Sequence, residues 1–209
     1  MSAALFIKNA ATDRKQIALT FDDGPHPVFT PQIMDLFKKY GAKGTFFVTG
    51  QHVEQYPEIA SRLLEEGHEV GNHTYSHPRL KETDPESTKE EIERTEAIIL
   101  DATGFKTTLF RPPFGSYNEK TLEIIADAGY QCILWSEKQD TKDFSMPGTD
   151  RIVDQVIGNL QNGDIILMHD SSEDPVCNRE QTVEALTILL PWFEEHGYEC
   201  VTVSKLLDK

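Results

Sequence analysis

The stretch IALTFDDGP, residues 17–25, sets five apolar or β-prone residues directly against two adjacent carboxylates, a glycine and a proline. Ile17–Phe21 has the length and composition of a buried strand. Asp-Gly and Gly-Pro are ordinary turn formers, so Asp22 and Asp23 could belong to a simple turn. Two like charges side by side repel, and a nearby cation would make the pair tolerable. What the rest of the chain brings to that strand end decides between the two readings.

Six more short runs share the β-branched or aromatic character of the first: GTFFVTG (44–50), HEVGN (68–72), TLFR (108–111), CILWS (132–136), DIILMH (164–169) and ECVTV (199–203). Between them lie segments of helical period with recognisable ends. Pro31 follows Thr30 in a helix stopping near Gly41, and Pro57 opens one that ends at Gly67. Asp84 and Pro85 open a long charged helix reaching about Gly104. Asn118 caps a segment ending at Gly129, Thr149 opens one ending at Gly163, and a last helix runs from Glu180 to Gly197. Pro191 is expected to kink that helix or start a new turn.

Strand onsets at 17, 44, 68, 108, 132, 164 and 199 leave room for a crossover each time, as right-handed βαβ units require. A barrel and an open doubly wound sheet both fit this pattern. No Gly-x-Gly-x-x-Gly follows the first strand and no phosphate-binding loop is present, which favours a distorted (β/α) barrel of seven parallel strands.

With 209 residues, 38% of them hydrophobic, the chain suits one domain over residues 1–209. No Ser/Gly/Pro-rich linker, low-complexity tract or short repeat divides it. Twenty basic and 35 acidic residues give a net charge of −15, which argues against nucleic acid or an anionic membrane as the main partner. No apolar run approaches the about 20 residues of a membrane span. The opening MSAALFIKNAATDRKQ lacks a basic segment before an apolar one, so as written it is not a signal peptide. A protein trimmed of its export segment would read the same, and neither location nor oligomeric state follows from the sequence. Cys132, Cys177 and Cys200 lack metal-type spacing, and Cys132 and Cys200 fall inside apolar runs as core residues.

The polar residues that break the pattern collect at strand ends. Asp22 and Asp23 follow the first strand, His73 and His77 the third, Arg111 closes the fourth, Asp140 and Asp143 follow the fifth, and His169 and Asp170 close the sixth. In a parallel barrel these ends share one face, where active sites form. His73 and His77 are spaced i, i+4, and one helical turn would put both rings on one side to share a cation. Two imidazoles and a carboxylate leave room for water, with Zn²⁺ the default for hydrolysis and Fe²⁺, Co²⁺, Ni²⁺ or Mn²⁺ acceptable to the same donors. One aspartate can then be a ligand while the other takes a proton from water, whose pKa Zn²⁺ can lower to about 7.

The motifs TFDDGP, HTYSHP, RPPFG, DTKDF and LMHD, in this order from Thr20 to Asp170, resemble the five motifs of the polysaccharide deacetylases (carbohydrate esterase family 4, the NodB-homology group). The resemblance implies a distorted (β/α) barrel that removes acetyl groups from N-acetylglucosamine polymers or acetylated xylan. It implies Asp22 as base, with Asp23, His73 and His77 as metal ligands. Arg111 would orient Asp22. His169 would be the general acid paired with Asp143 rather than Asp140. The Phe114 N–H would serve the oxyanion, and Leu167 with Phe144 would line an acetate-sized pocket. Trp135 is a candidate pocket wall. Phe144 stands where many members have Trp and Phe114 where many have Tyr, which points to tuning of the substrate. His26 is read as a loop residue; His52, His68, His196 and Trp192 follow no motif and are read as ordinary packing.

The function expected is metal-dependent N-deacetylation of a chitin-type or peptidoglycan glycan. An acetylxylan O-deacetylase and a sugar-binding pseudoenzyme are the alternatives. A metal-independent α/β hydrolase lacks support, since no Gly-x-Ser-x-Gly elbow is present.

Overall fold

The computed structural model describes residues 6–174 and 176–208; residues 1–5 of the opening segment lie outside them. Seven strands are present among the described residues: β1 (Gln16–Asp22), β2 (Gly44–Val48), β3 (Glu69–Asn72), β4 (Leu109–Phe110), β5 (Gln131–Cys132), β6 (Ile165–His169) and β7 (Glu199–Cys200). Every ladder is parallel, and the order is β5-β4-β3-β2-β1-β6, with β7 pairing the start of β1. Irregular backbone bridges the gap between β5 and β6. Ile7 pairs with Ile133, the Ala10 N–H donates to the Gly163 carbonyl, and Asp140 pairs with Leu167. The result is a distorted (β/α) barrel, as expected.

Strand β1 shows how one sequence serves both faces. Ile17, Leu19 and Phe21 face outward into the large apolar cluster shared with the surrounding helices. Ala18 belongs to a second cluster with Phe47, Leu109, Ile133, Ile165 and Val201. A strand covered on both sides reads as a continuous apolar run. The same alternation puts Ala18, Thr20 and Asp22 on one side, so the polar end of β1 points into the barrel.

The crossover helices are α1 (Phe29–Lys39), α2 (Gly50–Gln55), α3 (Pro57–Glu65), α4 (Pro85–Thr103), α5 (Glu119–Asp127), α6 (Thr149–Asn159), α7 (Glu180–Glu195) and α8 (Val203–Leu207). Asp84 caps α4 through the N–H groups of Glu86 and Ser87, and Gly104 ends it at φ 68°. Asn118 and Thr121 form a capping box on α5.

Several boundaries differ from expectation. The strand of residues 44–50 stops at Val48, and the short helix α2 follows, too brief to leave a periodic signal. The fifth strand ends at Cys132 rather than 136, because Ile133 and Ser136 pair with the chain start and with Ile165 instead. The seventh ends at Cys200, where Thr202 caps α8 by accepting from the Lys205 N–H. Helix α6 ends at Asn159 because Gly163 is drawn to the barrel wall, where its N–H donates to Gln16 and a Cβ would collide with the Ala10 carbonyl. Helix α7 runs unbroken across Pro191. The carbonyl deprived of a partner belongs to Thr187, an exposed residue that water can satisfy.

Candidate active site

Parallel pairing sets Asp22 opposite His169 in the β1–β6 register, bringing two of the expected residues together at one strand end. Asp22 is buried, and its Oδ1 accepts from Arg111 Nη1 at 2.7 Å. Arg111 is wholly buried and also donates to Thr20 Oγ1 and to the carbonyls of Ile133 and Leu134. Its guanidinium also lies 4.1 Å from the centre of the Phe47 ring. Five contacts fix this fork, so Asp22 has little freedom to turn.

The second carboxylate faces elsewhere. Asp23 adopts a left-handed backbone (φ 75°) that turns its side chain toward the two histidines. Asp23 Oδ1 lies 3.2 Å from His77 Nε2 and 3.6 Å from His73 Nε2. His73 and His77 do not share a helical turn, contrary to the reading of their spacing. The segment is an irregular bend in which Thr74 (φ 68°) and His77 (φ 59°) are both left-handed, bringing the ring centres to 5.0 Å. Side-chain convergence here comes from loop strain, which spacing alone does not reveal.

These three donors fit a divalent ion. The Asp23, His73 and His77 ligand atoms lie within 4.8 Å of one another. Asp23 Oδ1 is buried without a hydrogen bond of acceptable geometry, an orphan that a cation would satisfy. His73 Nδ1 lies 2.7 Å from the Arg111 carbonyl, which can only accept, so the Nε2 lone pair faces the centre. His77 Nε2 also faces the centre, 3.2 Å from Asp23 Oδ1, while its Nδ1 lies 2.5 Å from the half-exposed Glu173 carboxylate without hydrogen-bond geometry. Burial pushes the Asp23 carboxyl up, yet the two imidazoles and the His169 charge outweigh it and hold Asp23 well below the usual range.

His169 sits on the other strand flanking β1. Its Nδ1 lies 2.7 Å from Asp143 Oδ1, while Asp143 Oδ2 accepts from the His169 N–H and from Thr182 Oγ1. Asp143, and not Asp140, is therefore the partner; Asp140 pairs with Lys142 at the rim. Burial alone would lower the His169 pKa, but the Asp143 charge and hydrogen bond raise it to about 9.

A cavity of about 840 Å³ opens over these groups, and Phe114, Trp135, Phe144 and Leu167 line it together with the donors and His169. The Phe144 ring stands edge-on to His169, and the Phe114 ring lies 4.5 Å from that of His77. Phe114 and Phe144 are each about half exposed, presenting aromatic surface to a ligand. Asp23, Thr74, His77, Phe114, Lys142 and Met146 are the six non-glycine residues with positive φ among the described residues, and all lie on loops after strands β1, β3, β4 and β5. Strain of about 1–3 kcal/mol per residue is thus concentrated around one cavity.

Four contributors carried no motif-level role. His52 Nδ1 lies 2.6 Å from the Asp23 carbonyl, against the reading of His52 as mere packing. Thr20 and Thr182 brace Arg111 and Asp143. Asp170 is fully buried beneath Gly24, accepts from Thr30 Oγ1 at 2.5 Å, and is pushed up to about 7 by burial and by the charges of Asp23 and Asp22. His26 keeps its loop role, its Nδ1 accepting from the Val28 and Phe29 N–H groups at the start of α1. His68 and His196 are packing residues, and Trp192 stacks on His196. Cys132 and Cys200 are buried and free.

The fold and this cavity define a (β/α)-barrel protein whose polar residues converge at the carboxyl ends of its strands. The polysaccharide deacetylase family profile matches residues 9–133. A peptidoglycan-N-acetylglucosamine deacetylase of Bacillus cereus is 42% identical over 201 residues, covering 93% of this chain and 89% of its own. A chitooligosaccharide deacetylase of Sinorhizobium fredii is 35% identical over 199 residues, covering 92% of each. A solved structure of a carbohydrate esterase family 4 pseudoenzyme from Bacillus anthracis superposes with a TM-score of 0.87 at 30% identity, covering 97% of this chain and 68% of that one. The chain belongs to the polysaccharide deacetylase family. Among the described residues, no helix is long and apolar enough to cross a membrane.

Proposed function

We propose that this protein hydrolyses the acetamide of N-acetylglucosamine units in a glycan or oligosaccharide, of peptidoglycan or chitin type, releasing acetate and a free amine. The observation that carries this reading is the meeting, in one cavity, of the Asp23–His73–His77 donors with two separately braced pairs, Asp22–Arg111 and Asp143–His169. Amide hydrolysis needs carbonyl polarisation, an activated water and a proton for a poor leaving group. The three apolar clusters all pack around the one sheet, which supports treating residues 1–209 as a single catalytic domain.

A divalent ion on Asp23, His73 and His77, Zn²⁺ by default, would act as a Lewis acid toward the carbonyl oxygen and toward water. Asp22, held by Arg111, takes the proton as water adds to the carbonyl carbon. The Phe114 N–H would serve the oxygen on which charge develops; what supports this is that Phe114 lines the cavity, in a left-handed backbone (φ 59°). His169, cationic beside Asp143, donates a proton to the nitrogen as the C–N bond breaks. Leu167, Phe144 and Trp135 enclose the acetyl methyl, and Phe114 offers the sugar a stacking face. A sugar-binding pseudoenzyme would be expected to lack a base, an acid or a donor, and this chain has all of them.

The test is acetate release from N-acetylglucosamine oligomers and from peptidoglycan fragments by chelator-stripped protein, with and without Zn²⁺. Metal-restored release, abolished in both Asp22→Asn and Asp23→Asn but with metal binding lost only in Asp23→Asn, is the expected result. Release from acetylxylan alone would move the reading to an O-deacetylase. Metal binding with no release from any substrate would make the protein a pseudoenzyme.

A further inference from the structure

Helix α2 sits where the two ligand-bearing loops meet, and its first-turn donors are shared between them. The opening N–H groups of a helix lack intrahelical partners and must find acceptors elsewhere. Here the Thr49 N–H donates to the Gly24 carbonyl at 3.0 Å, next to Asp23. The Gly50 and Gln51 N–H groups donate to Thr74 and Tyr75 at 2.9 and 3.3 Å, inside the loop that carries His73 and His77. Gly50 lets the helix come this close, since a Cβ there would sit 2.6 Å from the Tyr75 ring and 2.8 Å from Thr95 Oγ1.

One side chain adds to this backbone brace. His52 Nδ1 lies 2.6 Å from the carbonyl of Asp23 itself. A carbonyl only accepts, so Nδ1 carries the proton and donates. The bond grips the peptide of a residue held in the left-handed region, where a non-glycine backbone is unfavourable without support.

We propose that His52 is a positioning residue: through its Nδ1–H···O bond to Asp23 it holds the Asp23 carboxylate at the distance from His73 and His77 that a metal ion requires. This rests on the reading of Asp23, His73 and His77 as metal ligands. Outer partners of ligands typically contribute about 10–100-fold to metal affinity. His52 makes its contribution from a helix that has no metal ligand of its own.

Metal affinity and visible spectrum decide the matter, using Zn²⁺ competition against a chromogenic chelator and Co²⁺ loading, on the full chain. His52→Ala and His52→Gln should weaken Zn²⁺ binding by about 10–100-fold and change the Co²⁺ absorption. His52→Asn, whose amide N–H falls near the imidazole Nδ1 position, should restore affinity to within a few-fold. Melting of the metal-free protein separates positioning from simple stability. His52→Ala should lose metal affinity while its metal-free form still melts as a folded protein within a few degrees of wild type. An affinity loss matched by collapse of the metal-free fold would overturn the proposal. Unchanged affinity in His52→Ala, or equal losses in His52→Ala and His52→Asn, would overturn the proposal while leaving the metal site intact. Wild-type protein that binds neither ion would overturn the metal reading and the brace with it.

Discussion

Asp143 holds His169 at two points: its Oδ1 meets the imidazole Nδ1 at 2.7 Å, and its Oδ2 accepts the His169 backbone N–H at 2.9 Å. Ring and main chain are therefore fixed by one buried carboxylate. Because Nδ1 faces Asp143, the other ring nitrogen is the one available to the cavity. Burial acts to lower the pKa of His169, and the Asp143 charge reverses it to about 9. As the acid of the proposed reaction, His169 would stay protonated through neutral pH, and its deprotonation should set an alkaline limb.

In Asp143→Asn the raising charge is gone and burial remains, so the alkaline limb of kcat should move down by more than one pH unit. At pH 8 a limb lowered from about 9 by one to two units should cut the rate about 2- to 10-fold, and a larger shift by more. A kcat–pH profile of the variant checks this, and an unmoved limb would assign the alkaline limb to another group.

Loss of the acid should weigh on an amide more than on an ester, because an amine is the poorer leaving group. His169→Ala should therefore lose about 10²–10⁴-fold on N-acetylglucosamine oligomers and clearly less on an acetyl ester. The same enzyme batch assayed on both gives the ratio. Equal losses would count against protonation of the leaving nitrogen as the role of His169.

Arg111 is the most demanding residue to remove. Its guanidinium is fully buried and serves Asp22, Thr20 and two main-chain carbonyls. Truncation leaves a buried carboxylate and two carbonyls without their donor, so Arg111→Leu should cost about 3–5 kcal/mol in urea unfolding. Arg111→Lys should recover only part, since a point-like ammonium cannot reproduce the fork. Asp22→Asn keeps an acceptor for Arg111 but leaves a buried guanidinium without its counter-charge. It should lose activity together with part of the stability, less than Arg111→Leu loses. If Arg111→Leu unfolds like wild type, the ion pair has no structural role.

Much of this site was legible because β1, β3 and β6 end on polar residues and Arg111 directly follows β4, and a parallel sheet gathers strand ends on one face. Asp22, Asp23, His73, Arg111 and His169 meet there for that reason, while His77 and Asp143 reach the same face from the loops after β3 and β5. The spacing of His73 and His77 gave the right pair for the wrong geometry: left-handed Thr74 and His77, not a helical turn, bring them together. His52 stayed hidden because its partner is a main-chain carbonyl 29 residues away, on a helix of six residues with no hydrophobic period to announce it. Thr182 and Thr20 were hidden for a similar reason, since a hydroxyl bracing a charge reads as any other threonine. Strands β5 and β7 came out short where the ladder passes to irregular segments, a tertiary choice that local composition does not encode.

His68 ties stability to pH at the base of the sheet. It is buried against Phe37 and Phe46, and its Nδ1 accepts the Gly44 N–H at 3.1 Å. Burial, joined by the charges of Lys43 and Arg62 and opposed by Glu66, lowers its pKa from 6.5 to about 4. The folded protein thus keeps His68 neutral, while the unfolded chain takes up a proton below about pH 6.5. Between about 4 and 6.5 the unfolded state binds more protons at this site, so stability falls as the pH falls, by up to about 1.4 kcal/mol per unit. Protonation would also set an N–H against the Gly44 N–H, removing the acceptor. His68→Asn keeps an acceptor oxygen near the Nδ1 position and cannot titrate. Urea unfolding from pH 7 to pH 4.5 should therefore show a shallower loss in His68→Asn than in wild type, and parallel curves would mean that other groups set the acid limit.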